Sequence, residues 1–321
     1  MEDFMNRVHP ELKEALTLML QMPRIDLHDI PALRENPMRM PVPEVNLPGI
    51  ETVKTETRLV PGPDGAPDVA VEVYTPPSQG TKLPGLLWIH GGGYILGSAE
   101  LDAPNAKRMA LVDSCVVVSV EYRLAPEDPF PAAIEDCYAA LKWAAANAGE
   151  LGIDTNKLAI GGASAGGGLA AGLALYTRDK HEIDLAFQML IYPMLDDCNI
   201  QPSSETLPDA PLWTRENNKI GWSSYLAGEP GGEGVSCYAS ACRAEKVAGL
   251  PPTYIAVGEM DLFFHESVRY AQRLADAGVL TELHVYPGAF HAFDNIAPEA
   301  SVAKRFTADY LAALKEAFQA R

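Results

Sequence analysis

Lys157-Leu158-Ala159-Ile160-Gly161-Gly162-Ala163-Ser164-Ala165-Gly166-Gly167 decides the fold. A short apolar run reads as a buried strand, and the glycines mark a tight turn. The residues after it suit a helix start. A serine at such a bend carries its hydroxyl out of the end of the sheet. Gly162 and Gly166 flank it where side chains would collide with the neighbouring strand and helix. Alone, the pentapeptide could be a turn packed for steric reasons. Three further features, in order, point to chemistry.

The first lies upstream. Leu83-Pro84-Gly85-Leu86-Leu87-Trp88-Ile89 reads as a buried strand and runs into His90-Gly91-Gly92-Gly93-Tyr94. Three consecutive glycines leave backbone N–H groups able to converge on one point. Acyl transfer needs such donors where the oxyanion develops. The expected donors are the N–H groups of Gly92, Gly93 and Ala165. A nucleotide loop would need a Lys-Ser/Thr ending or a G-x-G-x-x-G opening a helix, and neither is here. The second is Asp261, at the tip of Tyr254-Ile255-Ala256-Val257-Gly258-Glu259-Met260. The third is His291, which follows the strand Leu283-His284-Val285-Tyr286. An Asp at a strand tip often caps a helix, and a lone His is most often structural. The order Ser164, Asp261, His291 together with the glycine loop favours a nucleophile, an orienting carboxylate and a general base.

These motifs resemble those of the bacterial hormone-sensitive-lipase-like esterases, the family IV lipolytic enzymes. The resemblance rests on His90-Gly91-Gly92-Gly93, Glu121-Tyr122-Arg123-Leu124-Ala125-Pro126-Glu127, Gly162-Ala163-Ser164-Ala165-Gly166-Gly167 and Gly288-Ala289-Phe290-His291, and spans the chain from about Leu83 onward. It implies an α/β-hydrolase core, a helical cap and hydrolysis of short- to medium-chain acyl esters without cofactor or metal. It also implies a homodimer through the last strand and helix. The chain departs from the pattern at Ala163, where the family often has Asp. It departs again at His265, where a second Asp is usual, and at Asp128, where His is usual. The resemblance implies that this segment braces the loop beside the oxyanion hole, and Glu121, Arg123 and Glu127 read accordingly as a buried or half-buried charge network rather than as catalytic groups.

Strands and helices alternate from Leu83 to the C-terminus, which means a mostly parallel sheet with helices on both faces. The expected elements include a first helix over Glu11–Met22, strands Glu51–Leu59 and Asp68–Tyr74 about an Asp64-Gly65 turn, and strand Leu158–Gly162. A helix is expected from Ser164 to Arg178. The stretch Pro31–Pro48 reads as an extended wrap. Between Tyr192 and Pro251 no core strand is expected, and such a long insertion reads as a cap. The expected division is a cap segment over 1–50, core over 51–194, cap insertion over 195–250 and core again over 251–321. Tyr94, Leu212, Trp213, Ile220 and Phe290 are the expected lining of the substrate pocket.

Composition narrows the partners. Of 321 residues, 25 are Lys or Arg and 43 are Asp or Glu, a net charge of −18. That charge is repelled by nucleic-acid phosphates and by anionic membranes. The five cysteines fit no zinc or disulfide spacing, no apolar run is long enough to span a bilayer, and the acidic start lacks a signal-peptide design. A cytoplasmic enzyme acting on a small-molecule ester is expected. An amidase, an arylformamidase or a lipase would use the same machinery. A small-molecule receptor on this fold, as in plant gibberellin receptors, would typically have lost part of the triad.

Overall fold

The computed structural model describes residues 2–21, 27, 29–35, 47–78, 82–207 and 212–320. Most of the expected Pro31–Pro48 wrap and the Asp209-Ala210-Pro211 stretch lie outside the described residues.

One eight-stranded sheet organises them. Its strands are β1 (Lys54–Val60), β2 (Val69–Thr75), β3 (Leu83–Ile89), β4 (Val116–Glu121), β5 (Ile153–Ala163), β6 (Phe187–Ile191), β7 (Thr253–Gly258) and β8 (Thr281–Tyr286). They lie in the order β1-β2-β4-β3-β5-β6-β7-β8. The pairs β1/β2 and β2/β4 are antiparallel and the remaining pairs are parallel. The helices are α1 (Glu2–Arg7), α2 (Lys13–Leu20), α3 (Ile30–Glu35), α4 (Ala103–Val112), α5 (Ala132–Ala146), α6 (Ala148–Leu151) and α7 (Ala165–Lys180). They continue with α8 (Pro202–Thr206), α9 (Arg215–Leu226), α10 (Phe264–Asp276), α11 (Phe293–Ile296) and α12 (Ser301–Gln319).

Strand alternation separates two cores. Leu87, Ile89, Val116 and Val118 face one side, with α5, α7 and α10. Leu86, Trp88 and Val117 face the other, with α4 and α12. Both layers are apolar because a parallel sheet is covered on both faces. From β3 the chain crosses to β4 on one side, and from β5 to β6 on the other. The crevice between those departing loops is the topological switch point, where ligands bind in open α/β sheets.

Several boundaries differ from expectation. β5 begins at Ile153, because Leu83 pairs with Ile153 across a register shift before the ladder resumes at Gly85 and Leu158. The polar Asp154-Thr155-Asn156 between them hides that start from a hydrophobicity reading. β1 begins at Lys54, and Ile50–Thr52 forms a 3₁₀ turn after Gly49 at φ +88°. The expected helix over Glu11–Met22 is instead a 3₁₀ turn at Pro10–Leu12 followed by α2, which ends at Leu20, and α1 precedes both. Val8, Leu12 and Leu16 are buried in the same core layer as Phe290, and the His9 N–H donates to the Gly288 carbonyl at 2.9 Å.

The insertion contains no strand among its described residues and is tied down at its root. Buried Asp197 pairs with Arg243 (Nε–Oδ1 2.6 Å) and accepts the Gly231 N–H at 2.7 Å. Asp113, which follows α4, is 7% exposed, and neither of its oxygens has a partner among the described residues. Burial pushes its carboxyl up to about 8, against the pull of Lys315 on α12. An unfolded Asp titrates at about 3.9. Between those values the folded chain holds a proton the unfolded chain has released, so this group's contribution to stability falls as pH rises and levels off above about 8. Asp113→Asn is expected to raise stability at pH 9 by about 1–3 kcal/mol, with the gain shrinking toward pH 4. Urea midpoints across that range check it. A gain independent of pH would show that the charge is not the cause.

Candidate active site

Ser164 lies between β5 and α7 with φ +58° and ψ −119°. A non-glycine residue there is strained, and surrounding bonds must impose it. Its N–H donates to Ile191 (2.9 Å), and its carbonyl accepts from Gly168 and Met194 (both 3.0 Å). The expected helix start at Ser164 is thus one residue early, because a residue at positive φ cannot be helical. The close approach needs glycine on both sides. A Cβ on Gly162 would overlap the Gly166 carbonyl, and one on Gly166 would overlap the carbonyls of Ile89 and His90. The end of β3 is thereby pressed against the elbow.

His291 follows β8, and Asp261 follows β7. The Ser164 hydroxyl stands 3.0 Å from His291 Nε2, and His291 Nδ1 stands 2.8 Å from Asp261 Oδ2. Asp261 is fully buried and His291 is 5% exposed, while Ser164 is half-buried. Nδ1 must donate to the carboxylate, which leaves Nε2 as the acceptor facing the serine. Asp261 is not the cap of α10, whose N-cap is Phe263; its Oδ1 accepts the Phe263 N–H at 2.9 Å and closes a turn just ahead of that helix. Met260 donates to the Ala289 carbonyl at 2.9 Å, which ties the Asp261 and His291 loops together. The rings of Tyr192 (4.8 Å) and Phe263 (5.1 Å) stand edge to face against the imidazole.

In the glycine loop Gly92 and Gly93 have φ +124° and +63°. Among the described residues, none accepts a hydrogen bond from the N–H of Gly92, Gly93 or Ala165. His90 braces the loop. It is 1% exposed, stacks on Tyr122 at 4.2 Å and donates from Nδ1 to the Gly91 carbonyl at 2.8 Å. The Tyr122 hydroxyl donates to the His90 carbonyl at 3.0 Å. Burial pulls the His90 imidazole down to about 4, so it is neutral near pH 7.

The expected Glu121-Arg123-Glu127 network is three separate anchors instead. Glu121 accepts the Ala99 N–H at 2.7 Å. Arg123 grips buried Asp136 with Nε and Nη2. Glu127 pairs with Arg34 of α3, whose Nε donates to the Ile95 carbonyl. Motif residues adjacent in sequence here point to different neighbours.

The expected pocket residues divide. Phe290 is 0% and Tyr94 1% exposed, so neither offers a surface to a ligand in this conformation. Tyr94 instead stacks on Tyr225 of α9 at 4.1 Å, and its hydroxyl donates to the Met194 carbonyl. Ile220 lines a cavity of about 440 Å³ with Cys198, Arg215 and Lys219, and none of Ser164, Asp261 and His291 lines it. Leu212 is half-buried with φ +70°. Trp213 lies over the glycine loop, its Nε1 donating to Asn218 at 3.0 Å, and a Cβ on Gly93 would overlap its ring. Gly93→Ala is therefore expected to shift both Trp213 and the local backbone, and to lower kcat about 10²–10³-fold. Ester turnover within threefold of the parent would remove Gly93 from the donor set.

Two groups near the triad have roles that the sequence reading does not assign, although it weighs Glu266 against Asp261 and sets Glu266 aside. Glu266, 2% exposed, accepts the N–H groups of Leu195 (2.6 Å) and Asp196 (3.3 Å), directly after the Met194 that bonds to Ser164. Burial and nearby Asp196 drive its carboxyl well above the usual range. Its place in the first turn of α10, five residues after Asp261, was the available signal. Tyr192 gave none, because its contact with His291 joins distant parts of the chain.

A protein family described as alpha/beta hydrolase fold matches residues 86–295. The carboxylesterase NlhH of Mycobacterium tuberculosis is 37% identical over 270 residues, 84% of each chain. The esterase LipI of the same organism is 33% identical over 313 residues, 92% of this chain and 96% of the relative. The solved structure of a bacterial heroin esterase superposes with a TM-score of 0.92 at 40% identity, covering 98% of this chain and 99% of that one.

Proposed function

The chain belongs to the α/β-hydrolase fold family, among its hormone-sensitive-lipase-like carboxylic ester hydrolases, and from that premise we propose that Ser164, His291 and Asp261 are its catalytic triad, acting on short- to medium-chain acyl esters. The observation that carries the reading is the unbroken hydrogen-bond relay, 3.0 Å from serine to imidazole and 2.8 Å from imidazole to carboxylate. His291 takes the Ser164 proton as the oxygen attacks the ester carbonyl. The N–H groups of Gly92, Gly93 and Ala165 receive the oxyanion, each worth about 2.7–4 kcal/mol in such sites. His291 then protonates the departing alcohol, leaving an acyl-serine. A water, deprotonated by the same imidazole, releases the acid. Asp261 holds the tautomer and stabilises the imidazolium without taking its proton.

The insertion over 195–250 serves as cap in this reading. Trp213, just ahead of α9, and Gly221 within α9 cover the glycine loop, which favours a dry oxyanion site. Leu212 and Trp213 are the residues we assign to the substrate side. No helix of the described residues is long and apolar enough to cross a membrane.

Hydrolysis of p-nitrophenyl esters from acetate to palmitate tests the acyl range. A rate peaking between two and eight acyl carbons is expected, by about tenfold over palmitate, since each methylene is worth about 0.8 kcal/mol only while the pocket can bury it. A rate rising monotonically to palmitate would replace this reading with a lipase. A matched anilide cleaved as fast as the ester would replace it with an amidase.

A further inference from the structure

The triad accounts for one carboxylate near His291. A second stands three residues further on. Asp294 is the second residue of α11, and its Oδ1 accepts the Tyr192 hydroxyl at 3.3 Å. The Tyr192 ring is the one set edge to face against the imidazole at 4.8 Å. Tyr192 is held by its own backbone, at φ +34°, with its N–H on the Ala256 carbonyl of β7. The triad needs none of these contacts.

We propose that Asp294 is a positioning residue for His291: its carboxylate, bonded to the tyrosine that packs on the imidazole, favours the imidazolium formed when Ser164 gives up its proton. This rests on the triad reading above. A negative charge close to an imidazole stabilises its protonated form, and more so in a site with little water.

The surrounding charges are few and can be named. Arg108 of α4 attracts Asp294, while its Nη1 donates to the Tyr310 hydroxyl of α12 at 3.2 Å. Asp102, ahead of α4, and Asp261, after β7, both act on the Tyr192 hydroxyl, as does Tyr310. Asp102 is occupied by the Trp88 Nε1–H and the Asn105 amide. Burial pushes the Asp294 carboxyl up to about 6, with the Tyr192 bond, Arg108 and His291 opposing. Asp294 therefore gains its charge across the pH range in which a histidine base becomes active.

The test is the pH profile of kcat/KM for p-nitrophenyl acetate from pH 5 to 9. Asp294→Asn keeps an oxygen for the Tyr192 hydroxyl and removes the charge. It is expected to move the acid limb down by about half a unit and to lower the plateau kcat about threefold, since the same charge stabilises His291 in both. KM should hold within twofold. Asp294→Glu keeps the charge and should leave the limb within 0.2 units of the parent (about 0.3 kcal/mol). A limb unmoved by Asp294→Asn, or moved equally by Asp294→Asn and Asp294→Glu, overturns the proposal. If Asp294→Asn yields no folded protein, Asp294→Ala and the Glu variant carry the same comparison. Ser164→Ala assayed alongside separates the two readings. An unmoved limb with an inactive serine variant defeats only this inference, whereas an active serine variant defeats the triad.

Discussion

Ser164→Ala should reduce kcat on p-nitrophenyl esters by about 10⁵–10⁶-fold while leaving the far-UV spectrum unchanged. The hydroxyl is half-buried and its side chain hydrogen-bonds to His291 Nε2. The bonds that force the elbow are made by the Ser164 backbone, to Ile191, Gly168 and Met194, and alanine keeps them. The lost rate is therefore chemistry rather than folding. A residual acceleration of about 10³–10⁴ over water is expected to survive, because the oxyanion donors still operate. A variant retaining more than a few per cent of parent turnover would mean that another group attacks the ester.

Asp261→Asn is expected to cost about 10⁴-fold in kcat with little change in KM. Its amide oxygen can still accept the Phe263 N–H, so the turn into α10 persists. Its amide N–H₂ would then face His291 Nδ1, which must become an acceptor. That tautomer points an N–H at the Ser164 hydroxyl and cannot remove its proton. Glu259 supplies the contrast. It is half-buried, accepts the Gly288 N–H at 3.2 Å and lies 3.7 Å from Arg7. Glu259→Gln should keep turnover within about twofold, as surface pairs of this kind contribute little. Near-normal rates for Asp261→Asn with collapse in Glu259→Gln would reverse the assignment.

The elbow, the glycine loop and the order of the three polar residues were readable because local constraints write them. A serine forced to positive φ needs small neighbours, and a parallel strand ending in a carboxylate or a histidine leaves that group at one end of the sheet. The alternation of strands and helices likewise carried the fold. What escaped is through-space. Tyr94 and Phe290 were expected in the pocket because they adjoin motif residues, but a neighbour in sequence can point into the core. Ile220 was expected there too, and its cavity opens elsewhere. The charges of the Glu121–Glu127 segment could not be assigned partners without Asp136, Ala99 and Arg34 brought beside them by folding. The start of β5 was hidden by three polar residues inside a strand, where pairing with Leu83 outweighs local propensity.

The aromatic seam between α9 and the glycine loop bears on how this scaffold could be rebuilt. Tyr94 belongs to the loop, whereas Trp213, Trp222 and Tyr225 belong to the insertion, yet Tyr94 packs on Trp222 and Tyr225 as Trp213 does on Gly93. A chimera that imports another enzyme's 195–250 segment to change substrate range would replace half of that seam. It would disturb the oxyanion donors as well as the pocket. The unit that can be exchanged is the insertion together with the residue at 94, and libraries that randomise the insertion alone will be dominated by loss of turnover rather than by new selectivity.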